Sequence, residues 1–358
     1  MAESCNATGQ TPAALGFSMP AEWERHEATW LAWPHNPTDW PGKIDTIRWV
    51  YTEIVRKIAP GELVCMLVNS WTADMEMAER VGRAGLDVGC VEGILRPTNR
   101  GWTRDMGPVF VKRGAETAIV HFHFNAWAKY PDWRKDRRVP EIAAKRLGKR
   151  LFHAECNGRP FVLEGGGIEV NGRGTLLTTE ECYLDPTTQV RNPGLGREDF
   201  ETTLKEYLGA TNIFWLGGGV AGDDTHGHVD DITRFVGPRT VVTAYEPDPD
   251  DPNHGPLSEN FRWLKKSTDQ SGKSLKVVKL PMPKPVYFEG QRLPASYANF
   301  YIANKLVLVP VFGDANDRTA LDTLAELFPE REAVGIYCRD FIWGLGALHC
   351  MTQQQPAG

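Results

Sequence analysis

The segment LVLVPVFGDANDRTALDTLAELFP, residues 306–329, carries the clearest signal of fold class in the chain. Residues 306–312 are almost all apolar, rich in β-branched side chains and followed by glycine, as in a strand that is buried on both faces. In residues 317–329, apolar side chains return every three or four positions, which is the spacing of an amphipathic helix. A strand followed at once by a helix predicts an α/β unit.

The same alternation extends over the rest of the chain. Further strand-like runs are LVCMLV (63–68), VVTAY (241–245) and LKVVKL (275–280), and helical patterns lie at 44–59 and 197–209. We therefore predict an α/β protein. No break in composition divides the chain, so we expect a single domain spanning 1–358. The acidic, proline-rich stretch 246–260 is predicted to be a loop between strands.

Composition excludes several classes of protein. The net charge of −6 provides no basic field for nucleic acid. The N-terminus has no basic segment followed by an apolar one, and no run of about 18 apolar residues occurs, so we expect neither a signal peptide nor a membrane span. The seven cysteines are odd in number and form no CxxC pair. We therefore expect reduced, mostly buried thiols in a cytoplasmic protein, without a disulfide framework or a structural zinc site.

Three glycine clusters stand beside residues that could perform chemistry. They are Gly165–Gly167, Gly217–Gly219 and GLGALHC (344–350). Glycine allows the backbone to turn sharply or to approach a ligand closely. Each cluster alone is typical of a turn, and GGGVAG (217–222) lacks the helix start of a dinucleotide-binding loop. Because each cluster lies beside an acid, a histidine or a cysteine, together they indicate one common site.

The densest group of ionisable residues is GDDTHGHVDD (222–231). If this segment is extended, His226, His228 and Asp230 share one face, because side chains alternate along a strand. The His-x-His-x-Asp spacing would suit a zinc-dependent hydrolase. Such a site needs further histidines, and only His254 and His349 follow, so the number of ligands falls short.

The other interpretation makes His228 a proton shuttle and Asp230 a substrate ligand. The nucleophile must then lie elsewhere, and Cys350 is the best candidate because glycines precede it and a polar MTQQQ tail follows it. A reactive cysteine needs a cationic neighbour, or a cationic substrate that lowers its pKa on binding.

Two more acids interrupt apolar segments. Asp105 lies in NRGWTRDMGPVFV (99–111), and Glu164 lies in FVLEGGGIEV (161–170). A carboxylate at the end of a strand is costly to bury unless it is paired or holds a cation. An ion pair with Arg104 and a hydrogen-bonded turn are the ordinary alternatives for Asp105 and Glu164, respectively.

Six segments in this order resemble the agmatine deiminase family, whose broader group contains bacterial peptidylarginine deiminases. The resemblance covers nearly the whole chain, from about Thr11 to Pro356. The segments are GFSMPAEWERHEATWLAWP (16–34), RDMGPVFV (104–111), LEGGGIEV with TLLTTEECYLDP (163–186), GHVDD (227–231), YANFYIAN (297–304) and LHCMTQQQP (348–356).

The resemblance implies a five-fold pseudosymmetric α/β propeller of ββαβ modules around a central site. It implies that Cys350 is the nucleophile and His228 the general acid and base, which Glu164 orients. Asp105 and Asp230 would bind the guanidinium group of the substrate. Asp224 corresponds to a position near the far end of the substrate, and Trp102 to an aromatic residue at the mouth of the site.

The implied reaction converts agmatine and water into N-carbamoylputrescine, an intermediate of putrescine biosynthesis, and ammonia. No metal or organic cofactor is implied. The expected partner is a small cationic guanidine; neither nucleic acid nor a membrane is expected, and a homodimer is compatible with the resemblance. Segments 34–43, 124–133 and 344–350 depart from the family pattern, and His226 stands where asparagine is commoner. These departures leave peptidylarginine or another guanidine open as the substrate.

Overall fold

The computed structural model describes residues 10–358 of the chain. Cys5 lies outside the described residues; the six described cysteines are all free thiols, as expected. No helix within the described part has both the length and the apolar character needed to cross a bilayer.

The strands are short and follow one another along the whole described chain. They are β1 (His26–Ala32), β2 (Leu63–Val68), β3 (Val91–Leu95), β4 (Val109–Arg113), β5 (Glu116–His121), β6 (Leu151–His153), β7 (Glu155–Cys156), β8 (Arg159–Pro160), β9 (Glu169–Val170), β10 (Thr175–Thr179), β11 (Asn212–Leu216), β12 (Thr233–Gly237), β13 (Thr240–Tyr245), β14 (Lys276–Pro281), β15 (Val286–Phe288), β16 (Gln291–Leu293), β17 (Tyr301–Ile302), β18 (Leu306–Val311), β19 (Glu332–Tyr337) and β20 (Gln353–Pro356).

Helices alternate with these strands, which confirms the α/β prediction. They are α1 (Ile44–Ile58), α2 (Trp71–Arg83), α3 (Thr103–Met106), α4 (Val139–Leu147), α5 (Glu180–Leu184), α6 (Arg197–Leu208), α7 (His254–Leu264) and α8 (Asp317–Leu327). The predicted strands at 63–68, 241–245, 275–280 and 306–312 and the predicted helices at 44–59, 197–209 and 317–329 are present to within one or two residues at their ends.

One prediction about the connections is wrong. The stretch 246–260 was expected to be a loop throughout, but α7 begins at His254. Pro256 belongs to the first turn of this helix, where a missing backbone N–H costs no hydrogen bond. Composition therefore indicated a loop where the second half of the stretch in fact forms the start of a helix.

Five sheets share one pattern of strand pairing. In each, the first two strands are antiparallel and the third is parallel to the second, with a helix between the second and third strands in the chain. The sheets are β4-β5-β6, β9-β10-β11, β12-β13-β14, β17-β18-β19 and β20-β1-β2-β3. A parallel pair needs such a crossover, and a helix covering the sheet explains why the second strands are apolar on both faces.

The segment 306–329 shows this logic in one unit. All residues of β18 except Val311 are buried, and β18 pairs with β17 in antiparallel and with β19 in parallel orientation. Helix α8 buries Ala320 and Leu324. The turn between β18 and α8 is held by Asp317, whose carboxylate accepts hydrogen bonds from three backbone N–H groups.

Two helix ends offer a matched test of packing. Gly209 and Gly148 end α6 and α4 in the left-handed conformation, with φ of 69° and 62°. A Cβ on Gly209 would lie 2.8 Å from the Cβ of Ser18, whereas a Cβ on Gly148 would meet nothing within 4 Å. We expect Gly148→Ala to cost about 1 kcal/mol, the conformational penalty alone. Gly209→Ala should cost about 1–3 kcal/mol more because of the clash.

Urea unfolding of both variants measures these free energies. Equal losses would show that the segment around Ser18 moves aside without cost, and that the clash at Gly209 is not a constraint on the fold.

Candidate active site

Cys350 lies in the turn that leads into β20, and only 6% of the residue is exposed. Its sulfur accepts a hydrogen bond of 3.0 Å from Nδ2 of Asn299 and lies 3.7 Å from Oδ2 of Asp230. Burial, together with the charges of Asp230, Asp231 and Asp105, raises the pKa of Cys350 well above its ordinary value. In the free protein the sulfur therefore carries its proton at neutral pH.

Asp105 and Asp230 both have hydrogen-bond partners within the protein. Asp105 accepts hydrogen bonds from Nε1 of Trp127 at 2.8 Å and from the backbone N–H of Gly166 at 2.9 Å. The ion pair that would have explained Asp105 without a function is absent, since the guanidinium of Arg104 contacts other residues. Burial raises the pKa of Asp105 to about 6, against the opposing charge of His228.

Asp230 is completely buried, and its Oδ2 lies 2.7 Å from Nδ1 of His349. Its other oxygen, Oδ1, has no hydrogen-bond partner among the described residues. Although burial acts the other way, the contact with His349 and the charge of His228 hold the pKa of Asp230 below its ordinary value. Asp230 is therefore an ionised carboxylate with one free acceptor.

Gly166 shows that the predicted residues converge on one point. A Cβ added there would lie 2.6 Å from Nδ1 of His228, 2.9 Å from Oδ1 of Asp105 and 3.1 Å from Oδ2 of Asp230. The structure thus brings together residues that lie up to 125 positions apart in the chain (230 − 105 = 125). The expectation that the glycine cluster permits close approach is confirmed at this residue.

His228 lies between two acids. Its Nδ1 is 3.8 Å from Oδ1 of Asp105 and its Nε2 is 3.5 Å from Oε2 of Glu164, distances of ion pairs rather than hydrogen bonds. Burial disfavours the imidazolium, but the charge of Asp105 and the contacts with Cys182 and Glu164 hold the pKa of His228 well above its ordinary value. The ring is therefore a proton donor at neutral pH.

Glu164 is anchored by Arg191. The Nε of Arg191 lies 3.3 Å from both carboxylate oxygens, and both side chains are fully buried. Burial acts against ionisation, but Arg191 and His228 keep the pKa of Glu164 below its ordinary value. An ionised Glu164 thus lies beside the His228 ring, and its role in orienting that ring stays a prediction.

The geometry required by the zinc interpretation is not found. Residues 222–231 are not extended: they form turns that end in a 3-10 helix at Val229–Asp231. The Nε2 of His226 contacts Asp185 at 2.9 Å instead, and His226 has a φ of 63°. His226, His228 and Asp230 therefore do not share a face, because the left-handed conformation of His226 and the following Gly227 turn the chain.

Two other clusters have donor atoms within 4.8 Å of one another in the described part of the chain. They are Glu164–Cys182–His228 and Asp230–Asp231–Cys350. In each cluster a carboxylate already has a partner within the protein, because Arg191 pairs with Glu164 and His349 contacts Asp230. A metal ion would have to compete with these groups, so neither donor set is well suited to one.

A cavity of about 60 Å³ leads to Asp105 and Cys350. Aromatic side chains line it: Trp102, Trp127, Tyr130 and Trp343. Trp102 is thus one of the lining residues, and its place at the mouth of the site stays a prediction.

Asp224 also lines this cavity, but it is not free. The Nζ of Lys129 lies 2.5 Å from Oδ1 of Asp224, and the hydroxyl of Tyr130 donates to Oδ2 at 2.8 Å. Lys129 and Tyr130 belong to segment 124–133, which departs from the family pattern. The charge of Asp224 is therefore partly balanced within the protein.

The sequence indicated no role at this site for His349 or Asn299. His349 bridges Asp230 and Glu22, with Nε2 2.8 Å from Oε2 of Glu22. Asn299 contacts the sulfur of Cys350. Both belong to segments that carried the family resemblance, YANFYIAN and LHCMTQQQP, but neither has a charge pattern or spacing that would have indicated a role.

Comparisons with known proteins give matches over nearly the whole chain. The family model of Porphyromonas-type peptidyl-arginine deiminase matches residues 18–356. An agmatine deiminase of Pseudomonas aeruginosa is 37% identical over 371 residues, covering 97% of each chain. The structure of an Enterococcus faecalis agmatine deiminase is 33% identical and covers 98% of each chain with a TM-score of 0.88. A Cys-to-Ser variant of a C. jejuni agmatine deiminase, solved with its substrate bound, is 30% identical over 96% of this chain and 97% of that one, with a TM-score of 0.85.

The fold and the site place the chain among α/β proteins that bury a thiol, a histidine and several carboxylates in one cavity. More narrowly, it belongs to the Porphyromonas-type peptidyl-arginine deiminase family, and the resemblance to the agmatine deiminases is confirmed.

The raised pKa of Cys350 predicts its reactivity. Only a thiolate is alkylated, so the rate with neutral iodoacetamide should keep rising above pH 8.5, where an ordinary cysteine is already half ionised. Asp105→Asn removes one of the charges that oppose the thiolate, and should move the profile to lower pH. Peptide mass spectrometry distinguishes Cys350 from the buried thiol of Cys338. A half-maximal rate below pH 8 would contradict the electrostatic picture.

Proposed function

We propose that the protein hydrolyses agmatine to N-carbamoylputrescine and ammonia through a covalent intermediate on Cys350. The observation that carries this proposal is the meeting of Asp105 and Asp230 at Gly166, next to a buried thiol. Two carboxylates around one point attract a cation, and a guanidinium is the planar, permanently charged cation that can satisfy both by hydrogen bonds.

The same charges explain how the nucleophile is activated. A guanidinium between Asp105 and Asp230 neutralises the field that raises the pKa of Cys350. The thiol proton is then lost to water, because His228 is already protonated. Substrate binding and thiolate formation are thus coupled, and the sulfur is nucleophilic when a guanidinium is present.

The reaction follows from these positions. The thiolate of Cys350 forms a bond to the central carbon of the guanidinium and gives a tetrahedral adduct. The imidazolium of His228 donates its proton to one nitrogen of the adduct. The C–N bond to that nitrogen breaks, ammonia departs, and an amidino-thioether remains on Cys350. The neutral His228 then takes a proton from water, which attacks the same carbon. The C–S bond breaks as the hydroxyl group of this adduct becomes the carbonyl of the ureido product, and its proton returns to the sulfur of Cys350. Glu164 holds the ring of His228 throughout.

We extend the proposal to the arrangement of the fold. The five sheets of common pattern are proposed to stand around one axis as a five-fold pseudosymmetric propeller in a single domain. In support, residues of the site lie in the turns before the first strands of different sheets: Asp105 before β4, Glu164 before β9, Asp230 before β12 and Cys350 before β20. A homodimer and a cytoplasmic location stay predictions.

A small substrate fits the cavity better than a peptide. The cavity is narrow and walled by aromatic side chains, which suit the aliphatic chain of agmatine. The family model is named for peptidyl-arginine, so a blocked arginyl peptide is the second candidate.

The direct test is an assay of ammonia and ureido product with agmatine, free arginine and a blocked arginyl peptide. Agmatine should be turned over fastest, and Cys350→Ser should abolish turnover because the hydroxyl lacks the required nucleophilicity. A haloacetamidine should label Cys350 in the wild type. Faster turnover of the peptide would replace agmatine by peptidylarginine.

The same assay tests the zinc-dependent alternative. Activity should persist after dialysis against a chelator. If chelation abolishes activity and zinc restores it while Cys350→Ser remains active, the thiol mechanism is wrong.

The choice between agmatine and arginine is proposed to depend on Asp224 and Lys129. The ammonium of agmatine would displace the half-exposed Lys129 from Asp224, whereas the carboxylate of arginine would be repelled by Asp224. Asp224→Asn should lower the ratio of kcat/KM for agmatine to that for arginine, and Lys129→Ala should raise it. Unchanged ratios in both variants would show that the far end of the substrate is recognised elsewhere.

A further inference from the structure

One of the five similar sheets has no assigned residue in the site. The turns before β4, β9, β12 and β20 contribute Asp105, Glu164, Asp230 and Cys350. The remaining sheet begins with β17 (Tyr301–Ile302), and the side chain that its preceding turn brings to the site is Asn299. Asn299 is completely buried.

The amide of Asn299 uses its full hydrogen-bonding capacity. Its Oδ1 accepts from the backbone N–H groups of His349 at 2.9 Å and Cys350 at 3.3 Å. Its Nδ2 donates to Oδ1 of Asp231 at 2.9 Å and to the sulfur of Cys350 at 3.0 Å. A flipped amide would place its NH₂ group against two backbone donors, so the network sets the orientation.

We propose that Asn299 is a catalytic residue that donates a hydrogen bond to the Cys350 thiolate and holds the nucleophile turn at its backbone. The inference deepens the proposed function and rests on it only for turnover, since the contact with the sulfur is independent of the substrate.

The charges around the sulfur make this donor important. Asp230, Asp231 and Asp105 all oppose the thiolate. Among residues 10–358, the hydrogen bond donated to the sulfur comes from Asn299 alone. A neutral amide can stabilise a developing negative charge without displacing the cationic substrate from Asp105 and Asp230, as a lysine or arginine would. The donor also aims the sulfur, because the same side chain fixes the backbone of Cys350.

Asn299→Asp is the most informative variant. The aspartate keeps an oxygen that can accept from the backbone N–H groups of His349 and Cys350, but it lacks the two N–H donors of the asparagine amide. At the pH where the thiolate forms, its side chain is a carboxylate next to the sulfur. We expect the pH of half-maximal alkylation of Cys350 by iodoacetamide to rise by about one unit or more. With agmatine, kcat should fall roughly tenfold to a hundredfold with little change in KM. Asn299→Ala should shift the alkylation profile in the same direction.

Asn304→Asp is the matched control. Asn304 lies in the same segment and its amide also holds backbone groups, those of His26 and Gly61, but it does not contact the site. This variant should leave the alkylation profile unchanged even if its thermal stability differs from that of the wild type. The proposal is overturned if Asn299→Asp alkylates like the wild type, or if Asn304→Asp shifts the profile equally. If the alkylation profile shifts but no guanidine is turned over by the wild type, Asn299 keeps its role and the proposed function fails.

Discussion

Several carboxylates are buried close together in the site, and most of its other features follow from this constraint. Asp105, Glu164 and Asp230 are all almost completely buried, where an isolated ionised carboxylate costs several kcal/mol. Partners from distant parts of the chain offset this cost. Arg191 pairs with Glu164, and His349 contacts Asp230. Removing Arg191 would leave the carboxylate of Glu164 as an uncompensated buried charge, so this pair stabilises the site.

The charges of the buried acids are not fully paired at Asp230. Arg234 and Arg104 neutralise Glu22 behind His349, but no cation of the described chain reaches the free oxygen of Asp230. Burial, together with the charges of Asp230, Asp231 and Asp105, raises the pKa of Cys350 and so keeps its thiol protonated. Under the proposed function, the same acids that restrain the thiol would bind the guanidinium.

The repeated strand pairing explains how such remote residues meet. In each of the five sheets the first strand is short and is preceded by a turn, and these turns carry the residues of the site. These turns can approach one another closely only where a residue has no side chain. Gly166 leaves room beside His228, and Gly346 leaves room beside the sulfur of Cys350, where a Cβ would lie 3.3 Å away. Turns position the polar groups, while the buried second strands and their helices keep the turns rigid.

Apolar periodicity was sufficient to predict the α/β class, three of the helices and four of the strands, because burial on one or both faces leaves a local pattern such as that of 306–329. The order of six motifs was sufficient for the family, whereas the roles that the resemblance gives to Cys350 and the acids stay predictions. Local pattern failed at 222–231, where positive φ at His226 and Gly227 breaks the expected alternation. It also could not find Asn299, His349, or the pairing of Lys129 with Asp224. Those contacts join residues 50 to 119 positions apart for the first two, and 95 apart for the pair. Their existence depends on how the sheets pack, and packing distance is not encoded in the spacing of residues along a chain.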